Sequence, residues 1–328
     1  MPHTRRLIAP AALLLCLIGA GASQDPAALR GAIRIDGSST VYPITEAVAE
    51  EFSKQAAKVN VSVGISGTGG GFKRFCVGET DITDASRPIT PSEVSLAAEK
   101  KVEYIEIPVA YDALTIVVNP KNDWVKSLTV DQVRRIYSAA GTAKSWKDLD
   151  PTWPDRPMKV FSPGTDSGTF DYFKEAVIGK DGNVRSDMSV SEDDNALVMG
   201  VAGNLDGIGY FGLAYFEENQ SKLRAVPIDG GKGPVSPSVK SVNDGTYTPL
   251  SRPLFIYVNR KSADRTEVQA FIDFYLKEAG ELAKEVGYVN MPDEILARAK
   301  GRWASRKTGT VFVAEGKKVE GPFSTLYR

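Results

Sequence analysis

The sequence predicts an α/β protein of two lobes, and three observations carry that prediction. In the N-terminal third, short segments of strand periodicity alternate with segments of helical periodicity, the pattern of a sheet covered by helices. Two apolar strands of similar character, one running from Tyr104 to Asn119 and the other from Pro253 to Asn259, flank an α/β insertion, as expected where a chain crosses twice between lobes. With 328 residues, 42% of them hydrophobic, the chain is long enough for two cores rather than one. The expected division is 23–112 plus 251–328 for one lobe and 113–250 for the other, behind a leader at 1–22.

The elements follow in order. Residues 31–36 alternate apolar and polar as a short strand, and Gly37-Ser38-Ser39-Thr40 turns into a helix from Tyr42 to about Ala57. Pro43 suits its first turn, and Ile44, Ala47, Val48 and Phe52 form its apolar face. Residues 59–65 read as a second strand, running into a glycine-rich loop at 66–71 and a helix from Phe72. A third strand ends in Asp84-Ala85-Ser86-Arg87-Pro88. The insertion holds a helix at Thr129–Ser138, a strand at Met158–Ser162, a loop at Gly164–Thr169 that opens a helix, and the glycine-rich run Gly207–Ala214. After Asn259 comes an amphipathic helix with Val268, Phe271, Ile272, Tyr275 and Leu276 on one face, and the last twenty residues read as a hairpin.

The first residues have the form of a secretory signal. Arg5 and Arg6 precede an apolar run from Leu7 to Ile18, and Ala20-Gly21-Ala22 is a small-residue cleavage pattern. Leu15 before Cys16 does not fit a lipobox, so the expected product is soluble and exported, with a mature start near Ser23. Loss of Arg5 and Arg6 leaves 38 basic against 41 acidic residues, a net charge of −3 and no electrostatic footprint for nucleic acid or an anionic membrane. Cys76 then has no partner for an internal disulfide and reads as a small buried apolar residue.

His3 is the only histidine, so the mature chain has none. Hydrolases that need imidazole as the base near neutral pH, and zinc sites built on histidine, are nearly closed to it. Asp166-Ser167-Gly168 matches the Asp-Ser/Thr-Gly element of aspartic proteases, but Pro163-Gly164-Thr165 stand where an apolar strand should lead in. The Gly67–Gly71 run lacks the Gly-Lys-Ser/Thr ending of a P-loop. Ser191-Glu192-Asp193-Asp194 reads as an acidic helix start rather than a metal site.

What remains is a shared design. Gly37–Thr40, Gly67–Gly71 and Asp166–Thr169 each follow a predicted strand and open a predicted helix. A helix start leaves backbone N–H groups unpaired with the positive end of the dipole behind them, and Ser or Thr adds a hydroxyl. One such end is ordinary capping; three in one chain make an anion site. Asp84-Ala85-Ser86-Arg87 adds an acceptor and a guanidinium able to fork two bonds onto an oxyanion.

DGSSTVYPITEAVAEEF, GISGTGGGFKRF, DITDASRPIT and FSPGTDSGTFDYF, in that order, resemble the periplasmic phosphate-binding subunit of the high-affinity phosphate ABC transporter, the PstS-type solute-binding proteins. The resemblance implies a type II periplasmic binding fold: two α/β domains joined by two crossover strands, with phosphate in the cleft. It implies binding without catalysis, no cofactor or metal, a periplasmic monomer and delivery to the permease subunits of an ABC transporter. Carried over by position, Ser39 and Thr40 donate from the first helix end, Thr68 stands where the family has a serine, and Ser167, Gly168 and Thr169 match its Ser-Gly-Thr. Two positions depart. Pro163 stands where many members have an arginine, and Ser86 where they have an aspartate that accepts the phosphate proton. Arg87 is therefore the expected cation, with Asp84 or Asp166 expected to orient it or to read that proton. Rival readings are a binder of sulfate, molybdate or a phosphonate on the same fold, a phosphatase, and a surface or signalling protein in which phosphate is only structural.

Overall fold

The computed structural model describes residues 25–327 except 142, 166 and 180; the leader read at 1–22 and the candidate Asp166 lie outside the described residues. β1 (Gly31–Gly37) pairs in parallel with β2 (Val59–Ile65) on one side and with β3 (Ile82–Ala85) on the other. Between them run α1 (Tyr42–Gln55) and α2 (Gly67–Phe75), and α3 (Pro91–Glu99) follows β3. α1 buries Ile44, Thr45, Val48 and Phe52, and Phe52 meets Phe271 edge to face at 5.3 Å. α3 starts with a capping box in which Thr90 and Glu93 satisfy each other's backbone N–H groups.

The glycine-rich segment is not the expected loop. It forms the first turns of α2, because only glycine fits where that helix crosses β1. A Cβ on Gly71 would lie 2.6 Å from Gly37 Cα and 2.5 Å from Thr83 Oγ1. The close crossing brings the start of α2 beside the loop that follows β1.

β4 (Tyr104–Val118) is one strand of fifteen residues, all buried. Beyond it lie α4 (Val130–Tyr137), β5 (Lys159–Pro163), α5 (Gly168–Phe173), β6 (Ser189–Ser191), α6 (Asp194–Ala202) and β7 (Gly207–Gly212). α5 continues into a single π-helical turn at Lys174–Ile178, and Asp193 caps α6, the acidic helix start expected there. The chain returns along β8 (Ser251–Asn259) into α7 (Thr266–Glu285) and α8 (Asp293–Ala304). α7 buries the predicted face of Val268, Phe271, Ile272, Tyr275 and Leu276.

Among the described residues eight strands lie in the order β2-β1-β3-β8-β4-β7-β5-β6. β4 is the pivot of that order. From Tyr104 to Ala113 it pairs antiparallel with β8, and from Leu114 to Val118 it pairs with β7. Asp112 and Arg252 face each other across β4 and β8 just before this change of partner. The C-terminal hairpin, Val313–Ala314 against Lys317–Lys318, is held by an aromatic stack. Phe312 and Phe323 pack on Phe255 of β8, and Phe323 also packs on Tyr111 of β4. No helix among the described residues is long and apolar enough to cross a membrane.

Candidate functional site

Strands of an open α/β sheet present their carboxyl ends, and the loops that leave them, to a crevice. Here the ends of β1, β2 and β3 supply Ser38, Ser39, Thr40, Thr68, Gly69, Ser86 and Arg87 to one cleft of about 320 Å³. Asp171, Lys174 and Glu175 form the facing wall, and Arg252 lies at the junction. The two walls touch beside the loop after β1. A Cβ on Gly168 would lie 3.2 Å from Thr40 Cα, and Ser39 Oγ donates to Asp171 Oδ2 at 3.4 Å.

Local structure aims the hydroxyls. Ser38 N–H donates to the Asp84 carbonyl at 3.0 Å, and Tyr288 O–H donates to the Thr40 carbonyl at 2.7 Å, which pins the loop before α1. Thr40 Oγ1 accepts from Arg252, so its own proton is left to point elsewhere. Thr68 Oγ1 accepts from Ser86 N–H at 3.1 Å and lies 3.0 Å from Ser86 Oγ, so the start of α2 and the end of β3 share one hydroxyl pair. Ser66, just before α2, does not cap it; its hydroxyl donates to Asp36 at 2.7 Å. Thr68 and Gly69, in the first turn of that helix where N–H groups lack intrahelical partners, line the cleft.

Arg87 lines the cleft, but Asp84 does not orient it. Arg87 Nη1 and Nη2 donate to the two carboxylate oxygens of Glu93 at 2.9 and 2.8 Å, and Nη1 donates to the Pro88 carbonyl at 3.1 Å. Burial works to raise the Glu93 carboxyl, and the bonds from Arg87 and Thr90 outweigh it and hold it below its ordinary value. Asp84 is fully buried and accepts from Thr45 Oγ1 at 3.0 Å. Burial, with Asp36 adding to it, pushes the Asp84 carboxyl up to about 8 against the pull of Thr45. Asp84 is absent from the residues that line the cleft, and the carboxylate bonded to Arg87 is that of Glu93, so the expectation that Asp84 orients Arg87 is corrected.

Arg252 is the site residue that sequence reasoning missed. Its guanidinium donates from Nε and Nη2 to Asp112 Oδ2 at 3.3 and 3.2 Å, from Nη2 to Thr40 Oγ1 at 3.0 Å, and from Nη1 to Glu175 Oε2 at 3.5 Å. It lies 3.7 Å from the centroid of the Tyr172 ring, and Tyr172 O–H donates to the Pro249 carbonyl at 2.7 Å. Burial pushes the Asp112 carboxyl up to about 6, with Arg252 pulling against it. A signal was present in the sequence. Asp112 interrupts the first apolar crossing strand and Arg252 stands at the start of the second, and charges among buried apolar residues are tolerated mainly as pairs.

The expected residues are thus partly assembled. Ser39, Thr40, Thr68, Ser86 and Arg87 share the cleft. Ser167, Gly168 and Thr169 begin α5 behind it, where Ser167 Oγ accepts from Thr169 N–H at 3.2 Å, and the next turns of that segment supply Asp171, Lys174 and Glu175. Cys76 is buried as expected, and burial pushes its thiol up to about 12.

Comparison with known proteins agrees with this architecture. A model of the PBP superfamily domain matches residues 22–279. Protein SphX of Synechococcus elongatus is 48% identical, with 95% of this chain and 93% of that protein aligned. The phosphate-binding protein PstS of Staphylococcus saprophyticus is 42% identical over 86% of this chain and 87% of its own. The crystal structure of a possible phosphate binding protein from Planctomyces limnophilus superposes with a TM-score of 0.82 at 45% identity, covering 85% of this chain and 99% of that one. The chain therefore belongs to the PBP superfamily, among the PstS-type phosphate-binding proteins.

Proposed function

We propose that the protein captures inorganic phosphate outside the cytoplasm and delivers it to the permease of an ABC transporter. The observation that carries this reading is the cleft itself. Hydroxyls from three separate strand ends, one helix start and two guanidinium groups converge on a space of about 320 Å³. Such a set meets the oxygens of a tetrahedral anion with donors and positions them without bond chemistry. Ser39, Thr40, Thr68, Ser86 and Arg87 would contact the anion from one wall. Asp166, Ser167, Gly168 and Thr169 would close on it from the other, with the lobes 23–112 plus 251–328 and 113–250 moving about the two crossing strands.

Export through the leader at 1–22, a periplasmic location, a monomeric state and the absence of catalysis belong to the same reading. The carboxylates on the facing wall favour phosphate over sulfate. Near pH 7 phosphate carries a proton that a carboxylate can accept, and sulfate carries none.

Calorimetric titration of phosphate into the exported protein, repeated in excess sulfate, tests the proposal. One-to-one binding that sulfate leaves intact is the expected result. Absence of phosphate binding, or equal binding of sulfate, would overturn the ligand assignment. Turnover of an aryl phosphate would favour the phosphatase instead.

A further inference from the structure

We infer that Arg252, rather than Arg87, delivers the principal positive charge to the bound anion and ties the two walls of the cleft together. The inference rests on the phosphate reading above and deepens it by naming the residue that couples capture to closure.

Both arginines line the same cleft, and although Arg87 has three of its five N–H groups engaged and Arg252 four, what separates them is how tightly each is held by carboxylate. Charge-assisted hydrogen bonds between guanidinium and carboxylate run at about 2.7–2.9 Å. Arg87 meets that standard with both Nη atoms on both oxygens of Glu93, a closed fork that neutralises it locally. Arg252 does not. Its contacts to Asp112 and Glu175 run from 3.2 to 3.5 Å, and those to Asp112 fall on a single oxygen. Four of its five N–H groups have partners among the described residues, and one Nη1–H is left, beside the long contact to Glu175. An oxyanion at Nη1 would take up that N–H and displace the Glu175 contact without breaking the anchor to Asp112.

Surroundings point the same way. The Arg252 side chain is 13% exposed and that of Arg87 30%, so solvent screens the charge of Arg252 less. Its plane is fixed by the Tyr172 ring against one face and by the cross-strand pairing with Asp112. Its partners also come from both walls. Thr40 and Asp112 lie on the side of β1 and β4, and Tyr172 and Glu175 lie on α5 and the turn that continues it. A ligand held by Arg252 is therefore held at a cation that contacts both sides.

The test compares phosphate affinity by calorimetry, and compaction on adding phosphate by small-angle scattering, in wild type, Arg252→Met, Arg252→Lys and Arg252→Met/Asp112→Asn. The double variant removes the carboxylate that the single variant would strand in the core. The lysine variant keeps its counter-charge and removes only the fork. Expected are a loss of roughly a hundredfold in affinity for both methionine variants and about tenfold or more for lysine, with little phosphate-induced compaction in the methionine variants. Where Arg252→Met does not fold, the other two variants decide. Affinity within twofold of wild type in any folded Arg252 variant would overturn the inference and leave the phosphate reading standing. Wild type that binds no phosphate would overturn both.

Discussion

Two regions of the molecule each hold an arginine in the cleft and a fully buried aspartate behind it, and they use them differently. At the ends of β1–β3, Arg87 is forked onto Glu93, and Asp84 lies apart, with the Thr45 hydroxyl on one oxygen and no hydrogen-bond partner among the described residues for the other. At the β4–β8 junction the arginine and the aspartate are together, Arg252 on Asp112. The consequence is visible in the two carboxyls. Burial pushes both up, to about 8 for Asp84 and only to about 6 for Asp112, whose guanidinium favours the charged form. An arginine in a binding cleft is thus no measure of available charge; its partners decide what is left for a ligand.

The largest effect expected from this contrast is on stability. A carboxyl whose folded value is raised from an ordinary 3.8 to about 8 contributes its full stability below about pH 4 and loses it as pH rises through 8. Asp84→Asn is therefore expected to be more stable than wild type at pH 8, by a margin on the order of a few kcal/mol that closes towards pH 4. Urea midpoints at pH 4.5 and 8 measure it, and parallel profiles for the two proteins would remove the claim that Asp84 is held neutral. Glu106 behaves in the same direction. Burial pushes it up to about 7 against the pull of Thr310 and Tyr257, so part of the wild-type loss with rising pH persists in the variant.

Next in size is Arg87→Ala, expected to weaken phosphate binding by about tenfold, through one charge-assisted bond. That is less than the loss expected for Arg252→Met, and a larger loss for Arg87→Ala would reverse the ranking of the two arginines. Smaller still is Glu93→Gln. Glutamine preserves the capping box of α3 and opens the fork on Arg87. Affinity is expected to rise by about threefold, equivalent to roughly 0.6 kcal/mol; a fall would mean that Glu93 serves binding by orienting Arg87.

The smallest effect concerns salt. Among the described residues Arg87, Lys174 and Arg252 are offset by Glu93, Asp112, Asp171 and Glu175, so these side chains offer no net positive charge. Affinity is expected to change by less than about threefold between roughly 0.05 and 0.5 M salt, since donors at contact distance are screened little. A steep salt slope would show that long-range attraction governs capture.

Much of the fold was legible because periodicity reports burial directly. β2 falls on residues 59–65 as read, and α1 begins at Tyr42 as read. The glycine run misled for the opposite reason. Glycine suggests loop by propensity, whereas tertiary contact at Gly71 makes it the only residue that lets α2 cross β1. In the site, the strand-end hydroxyls were legible from local chemistry, since Gly-Ser-Ser-Thr and Gly-Thr-Gly carry their purpose in a few residues. Arg252 was not, because its role depends on Asp112, 140 residues away, and on a strand register that no local window reveals. Arg87 was found and its partner was not, for Glu93 is near in sequence yet its fork depends on the turn through Pro88 and Thr90.

The most direct test is the electron density of the protein crystallised with phosphate and with sulfate absent. The account predicts one tetrahedral anion within hydrogen-bonding distance of Ser39, Thr40, Thr68 and an Nη atom of Arg252, with Glu175 displaced from that guanidinium. An anion bound only at Arg87, or a cleft that stays empty at saturating phosphate while Arg252 keeps its contact to Glu175, would contradict it.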